Sequence, residues 1–202
     1  MDGKCIVSSC GKAASKCCGS CGWVRYCSTE CQKEDWKKGH KKLECVNMKE
    51  FSSVSLTEEQ INLVVYRITI ISDRLSANGE DERSTDLLKE CIDFARDRLS
   101  RLDSGDPHSL MRDGMRLNHL SVCRLLVDLG RVYYDMARSS ETDSHCISYL
   151  SEARKLLVQR KDAGMNEPEI WKLLLICDLE ICQLFRKRGQ WEKALCGIGS
   201  YC

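Results

Sequence analysis

The chain has 202 residues, which is enough for one ordinary domain and a small module. Hydrophobic residues make up 43% and charged residues 30%, with a net charge of +1, so the overall charge gives no reason to expect binding to nucleic acid or to an anionic membrane. The longest apolar run, residues 61–71, is interrupted by Asn62 and Arg67 and is too short for a membrane span. The N-terminus has no apolar signal core, so we expect an intracellular protein of the cytoplasm or the nucleus.

Cysteine is the unusual part of the composition, because eight of the 15 cysteines lie in the first 45 residues. A dense cluster in a chain without a secretory signal is typical of metal ligands rather than of disulfides. Seven of these eight cysteines and His40 form four pairs of soft ligands. Four pairs supply two tetrahedral zinc sites in which the protein fills every position. The pairs have two to four residues between their members and are Cys5 and Cys10, Cys18 and Cys21, Cys27 and Cys31, and His40 and Cys45. Cys17 is left over, because only Cys18 has the two-residue spacing to Cys21.

This block resembles the MYND family of zinc fingers. The resemblance is carried by Arg25-Tyr26-Cys27-Ser28-x-x-Cys31-Gln32-Lys33-x-x-Trp36 and by the His40 and Cys45 that follow. The first and the last ligand pair are each separated by four residues, where the family usually has two and three. The resemblance implies a small cross-braced finger over residues 1–48 with two interleaved zinc ions. The first ion would be held by Cys5, Cys10, Cys27 and Cys31, and the second by Cys18, Cys21, His40 and Cys45.

The same resemblance implies a function, because MYND fingers bind short proline-containing peptides that add as a strand beside the finger's hairpin. Residues 22–26 fit a strand of this hairpin, in which alternate side chains face opposite sides. The family's contact residues on the following helix correspond to Gln32 and Trp36, and the predicted peptide-binding set is Trp23, Arg25, Gln32 and Trp36. Packing within the finger is the other interpretation of Trp36, and chance surface exposure that of Trp23. A basic run is expected to be a solvated face or a patch for acidic segments or nucleic acid: Lys33, Lys37, Lys38, Lys41 and Lys42.

The rest of the chain, residues 55–202, is predicted to be all-α, with helical hairpins joined by short loops. Ser55-Leu56-Thr57-Glu58 has the pattern of a capping box and predicts the start of the first helix, and apolar residues then recur at helical spacing as far as Leu75. Further helices are predicted over about residues 84–102, 109–138, 143–161, 166–188 and 190–196. Polar or glycine-containing turns separate them, with a break expected near Gly114 and a clear turn at residues 103–108.

Two of the predicted hairpins resemble tetratricopeptide repeats. Residues 184–195 contain an aromatic residue, a glycine at the helix–helix turn, a second aromatic residue and an Ala-Leu pair, and residues 129–133 resemble the signature of a first repeat helix. No clean 34-residue self-similarity is visible. The last predicted helix stops abruptly before Cys202, so we expect a fragment or a short gene product, since a solenoid normally ends in a polar capping helix.

The combined pattern predicts a zinc-binding adaptor that joins other proteins and is not an enzyme. The chain has no Gly-rich phosphate loop, Ser–His–Asp grouping or paired-carboxylate signature. Two alternatives stay open at this point. A fragment of a protein lysine methyltransferase of the SET and MYND type would need a Gly-rich cofactor-binding strand before the finger and an Asn-His-Ser-Cys type of segment after it. A weak nucleic-acid binder would use the basic run.

Overall fold

The computed structural model of the chain describes residues 3–7, 10–51, 56–103, 115–136, 140–162, 164 and 167–190. The chain divides into two compact units, residues 1–98 and residues 99–202. Residues 49–54, which separate the predicted finger (1–48) from the predicted helical region (55–202), therefore fall inside the first unit. None of the described helices has the length and hydropathy that crossing a membrane requires.

A small antiparallel hairpin opens the first unit, with strands β1 (Lys16–Cys17) and β2 (Arg25–Tyr26). The second strand is shorter than the five residues predicted for it. The reason lies at Gly22, whose φ of +74° is a left-handed conformation that glycine adopts without steric cost. Its amide donates a 2.9 Å hydrogen bond to the carbonyl of Cys18, which closes a tight turn before the strand begins.

Two short helical pieces follow the hairpin. Helix α1 (Thr29–Asp35) begins at Ser28, whose hydroxyl accepts a 3.3 Å hydrogen bond from the amide of Cys31 as an N-cap. A wider, kinked helical segment (Trp36–Glu44) continues from it and is broken at Gly39, where φ is +145°. We call it the kinked segment. A short 3₁₀ turn, Met48–Phe51, ends this part of the first unit.

Helices α2 (Glu58–Ala77) and α3 (Asp81–Asp103) come next, and the last five residues of α3 belong to the second unit. The predicted capping box is wrong by two residues: the reciprocal bonds join Thr57 and Gln60, at 3.3 Å and 2.9 Å, and Ser55 lies outside the described residues. The predicted apolar face of α2 is confirmed, since all of its members are buried: Ile61, Val64, Val65, Ile68, Ile71 and Leu75.

The second unit contains α4 (Met115–Met136), α5 (Ser140–Asp162) and α6 (Pro168–Lys187). Helix α5 packs against both of the others. Gly130 of α4 faces the side chain of Leu150, and Arg154 of α5 makes a 2.7 Å ion pair with Asp178 of α6. Arg188, just after α6, also donates a 3.1 Å hydrogen bond to Asp143 near the start of α5, so α5 and α6 run antiparallel.

The sequence predicted both ends of α5 and α6 and the C-terminal end of α4 to within three residues, including the proline in the first turn of α6. The predicted start of α4, at residue 109, lies outside the described residues. The predicted break near Gly114 and the sixth helix over residues 190–196 fall mainly on residues 104–114 and 191–202, which lie outside the described part of the chain. A helical region is thus present, and its likeness to tetratricopeptide repeats stays a prediction.

Candidate metal centre

The first group of predicted ligands comes together from three separate stretches of the finger. The thiols of Cys5, Cys10, Cys27 and Cys31 all lie within 4.8 Å of one another. Cys27 directly follows β2 and Cys31 lies in the first turn of α1, which places their sulfur atoms 3.5 Å apart. The Sγ atom of Cys10 lies 3.3 Å from that of Cys27 and 3.8 Å from that of Cys31.

Cys5 is held in this group by backbone hydrogen bonds on both sides. Its amide donates to the carbonyl of Lys12 at 2.9 Å, and the amide of Ile6 donates to the carbonyl of Arg25 at 3.0 Å. The second bond attaches the first ligand to β2, two residues before Cys27. The four-residue spacing between Cys5 and Cys10 is accommodated in this way.

The second group joins the hairpin to the kinked segment. Donor atoms of Cys18, Cys21, His40 and Cys45 also lie within 4.8 Å of one another. The Sγ atoms of Cys18 and Cys45 are 3.7 Å apart, and the Nε2 atom of His40 lies 3.7 Å from the Sγ atom of Cys21. A 2.7 Å hydrogen bond from the amide of Cys45 to the carbonyl of His40 brings the last ligand pair together across its longer spacing.

Both groups fit a structural zinc ion. Four ligands at the usual Zn–S distance of about 2.3 Å stand about 3.8 Å apart at the corners of a tetrahedron. The five distances given between ligand atoms of the same group range from 3.3 to 3.8 Å. Each group offers four sulfur or imidazole donors, so the protein fills every position, as in structural zinc sites. The ligand pairs alternate along the chain between the two sites, so the ions would cross-brace the finger.

The pKa values of the second group indicate that its thiols can all be deprotonated together only when a cation is bound. A hydrogen bond with Cys21 is the largest influence on Cys18 and lowers the pKa of its thiol to about 3. The same bond raises the pKa of Cys21, and burial followed by the charge of Cys18 raises the pKa of Cys45 to about 11. One thiolate is therefore favourable and further ones repel it. A divalent ion removes that repulsion and allows all three sulfur atoms to bind as thiolates.

The family comparison agrees with this geometry: the model of the MYND finger matches residues 5–45, from the first ligand to the last. The N-terminal region is a MYND finger. It is a zinc-binding protein-interaction module, and its two ligand groups fit two structural zinc ions. The prediction of a cross-braced, two-zinc finger is confirmed.

A plant protein is similar to this part of the chain. Ubiquitin carboxyl-terminal hydrolase 19 of Arabidopsis thaliana is 46% identical over 55 residues, which is 27% of this chain and 8% of that relative. The similarity therefore covers a small part of that enzyme. No solved structure matches the chain significantly.

The four predicted peptide-binding residues all keep partial exposure in the MYND finger. Trp23 and Arg25 lie before and within β2, and Gln32 lies on α1. Trp36 has a structural contact as well, because its ring lies 5.8 Å from that of His40. Cys17, predicted to be a bystander, is exposed and belongs to neither ligand group.

Sequence reasoning missed the residues that surround His40. Its Nδ1 atom lies 3.1 Å from a carboxylate oxygen of Glu44, and Arg74 of α2 contacts both Glu44 and Asp35. The pair His40 and Glu44 has the spacing of one helical turn, which was a usable signal. Arg74 is 30 residues beyond Glu44, and no local pattern connects the two.

Proposed function

We propose that the chain is a protein-interaction adaptor whose MYND finger binds short proline-containing peptides. Support for the proposal comes from the surface between β1 and α1. The Nζ atom of Lys16 in β1 donates a 3.2 Å hydrogen bond to the hydroxyl of Thr29 at the start of α1. Gln32 and Trp36 follow Thr29 by three and seven residues, so they share its side of the helix. This contact supports a peptide-binding surface formed by the edge of β1 together with Gln32 and Trp36.

The edge available to an added strand is that of β1. Cys17 pairs with Arg25, and the carbonyl of Arg25 accepts a bond from Ile6 on the side away from β1. The pair is therefore of the type without mutual hydrogen bonds, and the backbone groups of Cys17 point outward. Lys16 and Cys17 are both exposed. A peptide strand would bond to this backbone and place side chains against α1.

Gln32 and Trp36 would then select the peptide. The amide of Gln32 can donate and accept hydrogen bonds, which suits a peptide backbone. Trp36 is partly exposed, so one part of its ring would be available for a proline ring while another lies against His40. This dual contact makes Gln32 the better position for a test, because replacement of Trp36 would also remove a ring that packs against the ligand His40.

The test is a binding titration of the zinc-loaded chain with fluorescent peptides that carry a central proline between randomised residues. We expect one or more peptides to bind, and Gln32→Ala to weaken that binding about tenfold, the loss expected for about 1.4 kcal/mol. Glu34→Ala is the matched control, since Glu34 lies on the other side of α1. Failure of every peptide to bind, or equal binding by wild type and Gln32→Ala, would contradict the proposal.

We also propose that this chain is not an enzyme. Cysteine and histidine fill every position around both ions, so no position is open for a substrate. The plant relative is named as a hydrolase, but the similarity covers 8% of its length. We also propose an intracellular location, since zinc thiolate sites require a reducing compartment. Nothing in the described residues favours the methyltransferase or nucleic-acid alternatives.

A further inference from the structure

We propose that Arg74 of α2 is a positioning residue for the second zinc site, and that it acts on His40 through Glu44. Five residues form the connection, which we call the arginine bridge: Tyr26, Asp35, His40, Glu44 and Arg74. Helix α2 would then contribute to the metal affinity of a finger to which it supplies no ligand.

The first step of the bridge is the orientation of His40. The imidazole is completely buried, with Nε2 facing Cys21 and Nδ1 3.1 Å from the carboxylate of Glu44. Such a carboxylate selects the tautomer with the proton on Nδ1 and leaves the Nε2 lone pair for the metal. It also makes the imidazole a more basic ligand.

The second step is the position of Glu44 itself. Its side chain is 14% exposed and lies at the end of the kinked segment. Arg74 makes an ion pair with the oxygen of Glu44 that also contacts His40. That ion pair uses the Nη1 atom of Arg74. The second terminal nitrogen, Nη2, lies 2.7 Å from Oδ1 of Asp35. Two carboxylates therefore hold the guanidinium in one orientation, which in turn fixes the carboxylate behind His40.

The third step is the contact between Asp35 and the hairpin. The second oxygen of Asp35 accepts a 2.8 Å hydrogen bond from the hydroxyl of Tyr26, which is fully buried in β2. Every charged group of the bridge thus has an opposite charge or a donor within hydrogen-bonding distance. A buried network of this kind is rigid when all of its members are satisfied.

The bridge is specific to the second zinc site. The four ligands of the first site are cysteines and offer no ring nitrogen for a carboxylate. Arg67 and Arg83 also join these helices to the finger, but both donate to backbone carbonyls. Arg67 donates to the carbonyls of Cys45 and Lys42, at 3.2 and 3.1 Å, and Arg83 donates to the carbonyl of Trp23. Loss of the bridge should therefore affect one of the two metal affinities.

The test measures both metal affinities of the full chain by competition with a chromophoric chelator, in wild type, Glu44→Gln, Arg74→Gln and Arg74→Lys. We expect Glu44→Gln and Arg74→Gln to weaken one of the two affinities by about 10- to 100-fold, the usual effect of removing an outer hydrogen bond of a zinc ligand. Arg74→Lys keeps the charge without the two-armed geometry and should recover part of the loss. Arg83→Gln is the control and should leave both affinities unchanged.

Cadmium-113 spectra of the substituted protein identify the affected site, because ligand sets of four cysteines and of three cysteines with one histidine give separate resonances. Only the resonance of the histidine-containing site should move in Glu44→Gln and Arg74→Gln. Equal weakening of both sites would mean that Arg74 stabilises the finger in general, and the proposal would be wrong. Unchanged affinities in both variants would also overturn it.

Discussion

Replacement of Tyr26 by phenylalanine should destabilise the MYND finger by removing one hydroxyl from a buried position. Tyr26 is fully buried, and its hydroxyl donates a 2.8 Å hydrogen bond to Oδ2 of Asp35. Burial, followed by this bond to a carboxylate, raises the pKa of Tyr26, so the phenol keeps its proton and remains a donor. Phenylalanine preserves the ring and its packing and leaves Asp35 one donor short.

The expected magnitude follows from the surroundings of Asp35. This residue is 7% exposed, so water has little access to replace the lost donor. A hydrogen bond to a charged group contributes about 1.5–3 kcal/mol. Arg74 continues to hold the other carboxylate oxygen at 2.7 Å, so we expect a loss near the middle of that range, about 2 kcal/mol. The population of the unfolded finger should rise roughly 30-fold.

The assay is urea denaturation of the zinc-loaded chain, followed by release of zinc to a chromophoric chelator, which reports on the finger alone. Tyr66→Phe is the matched control, because Tyr66 of α2 is 58% exposed. We expect the control to stay within about 0.5 kcal/mol of wild type. A Tyr26→Phe variant as stable as the control would refute the reasoning, since it would mean that Asp35 does not depend on the hydroxyl.

Three further changes have defined outcomes. Cys18→Ser should remove one zinc ion and also reduce helicity at 222 nm by more than the 7 residues of α1 and the 9 residues of the kinked segment together, because α2 contacts the kinked segment. The buried thiol of Cys123 has its pKa raised to about 12, chiefly by burial. Between pH 9 and 12 the thiol of Cys123 loses its proton in the unfolded chain and keeps it in the folded chain, so this thiol alone should lower stability by about 1.4 kcal/mol per pH unit. The pH dependence of Cys123→Ala should be less steep by that amount. Gly130→Ala should destabilise α4 and α5 by roughly 1–3 kcal/mol, since the added carbon would lie 2.7 Å from Cγ of Leu150.

Each of these three predictions has a result that would contradict it. Full helicity in the Cys18→Ser variant would mean that α2 folds independently of the second ion. An identical pH dependence in Cys123→Ala would remove the buried thiol as its cause. Gly130→Ala is compared with Ser151→Ala on the exposed side of α5, and equal stability of the two variants in urea would show that Leu150 moves aside at little cost.

The metal centre was largely predictable from the sequence because its information is local. Zinc ligands occur in pairs across tight turns, and the spacing of Cys18 and Cys21 or of Cys27 and Cys31 fits such a turn. The pairing of the first two ligands with Cys27 and Cys31 came from the family resemblance, and the structure brings these four residues together. Helices α2 to α6 were predictable for a similar reason, because their apolar residues recur with the helical period.

The ends of elements and the contacts between distant segments were less predictable. Ser55 and Thr57 both begin a plausible capping box, and the choice of Thr57 depends on the side chain of Gln60 reaching back to it. No local pattern indicated that Arg74 contacts Asp35, 39 residues earlier in the chain. Such a contact depends on how α2 packs against the finger.

Native mass spectrometry of the full chain, with and without a strong chelator, tests the central claim of a cross-braced finger most directly. Two ligand groups of four residues predict two zinc ions per chain, both of which the chelator removes. One ion would mean that one of the pairs with four-residue spacing, Cys5 and Cys10 or His40 and Cys45, does not close its site. A chain without any bound zinc would contradict the claim.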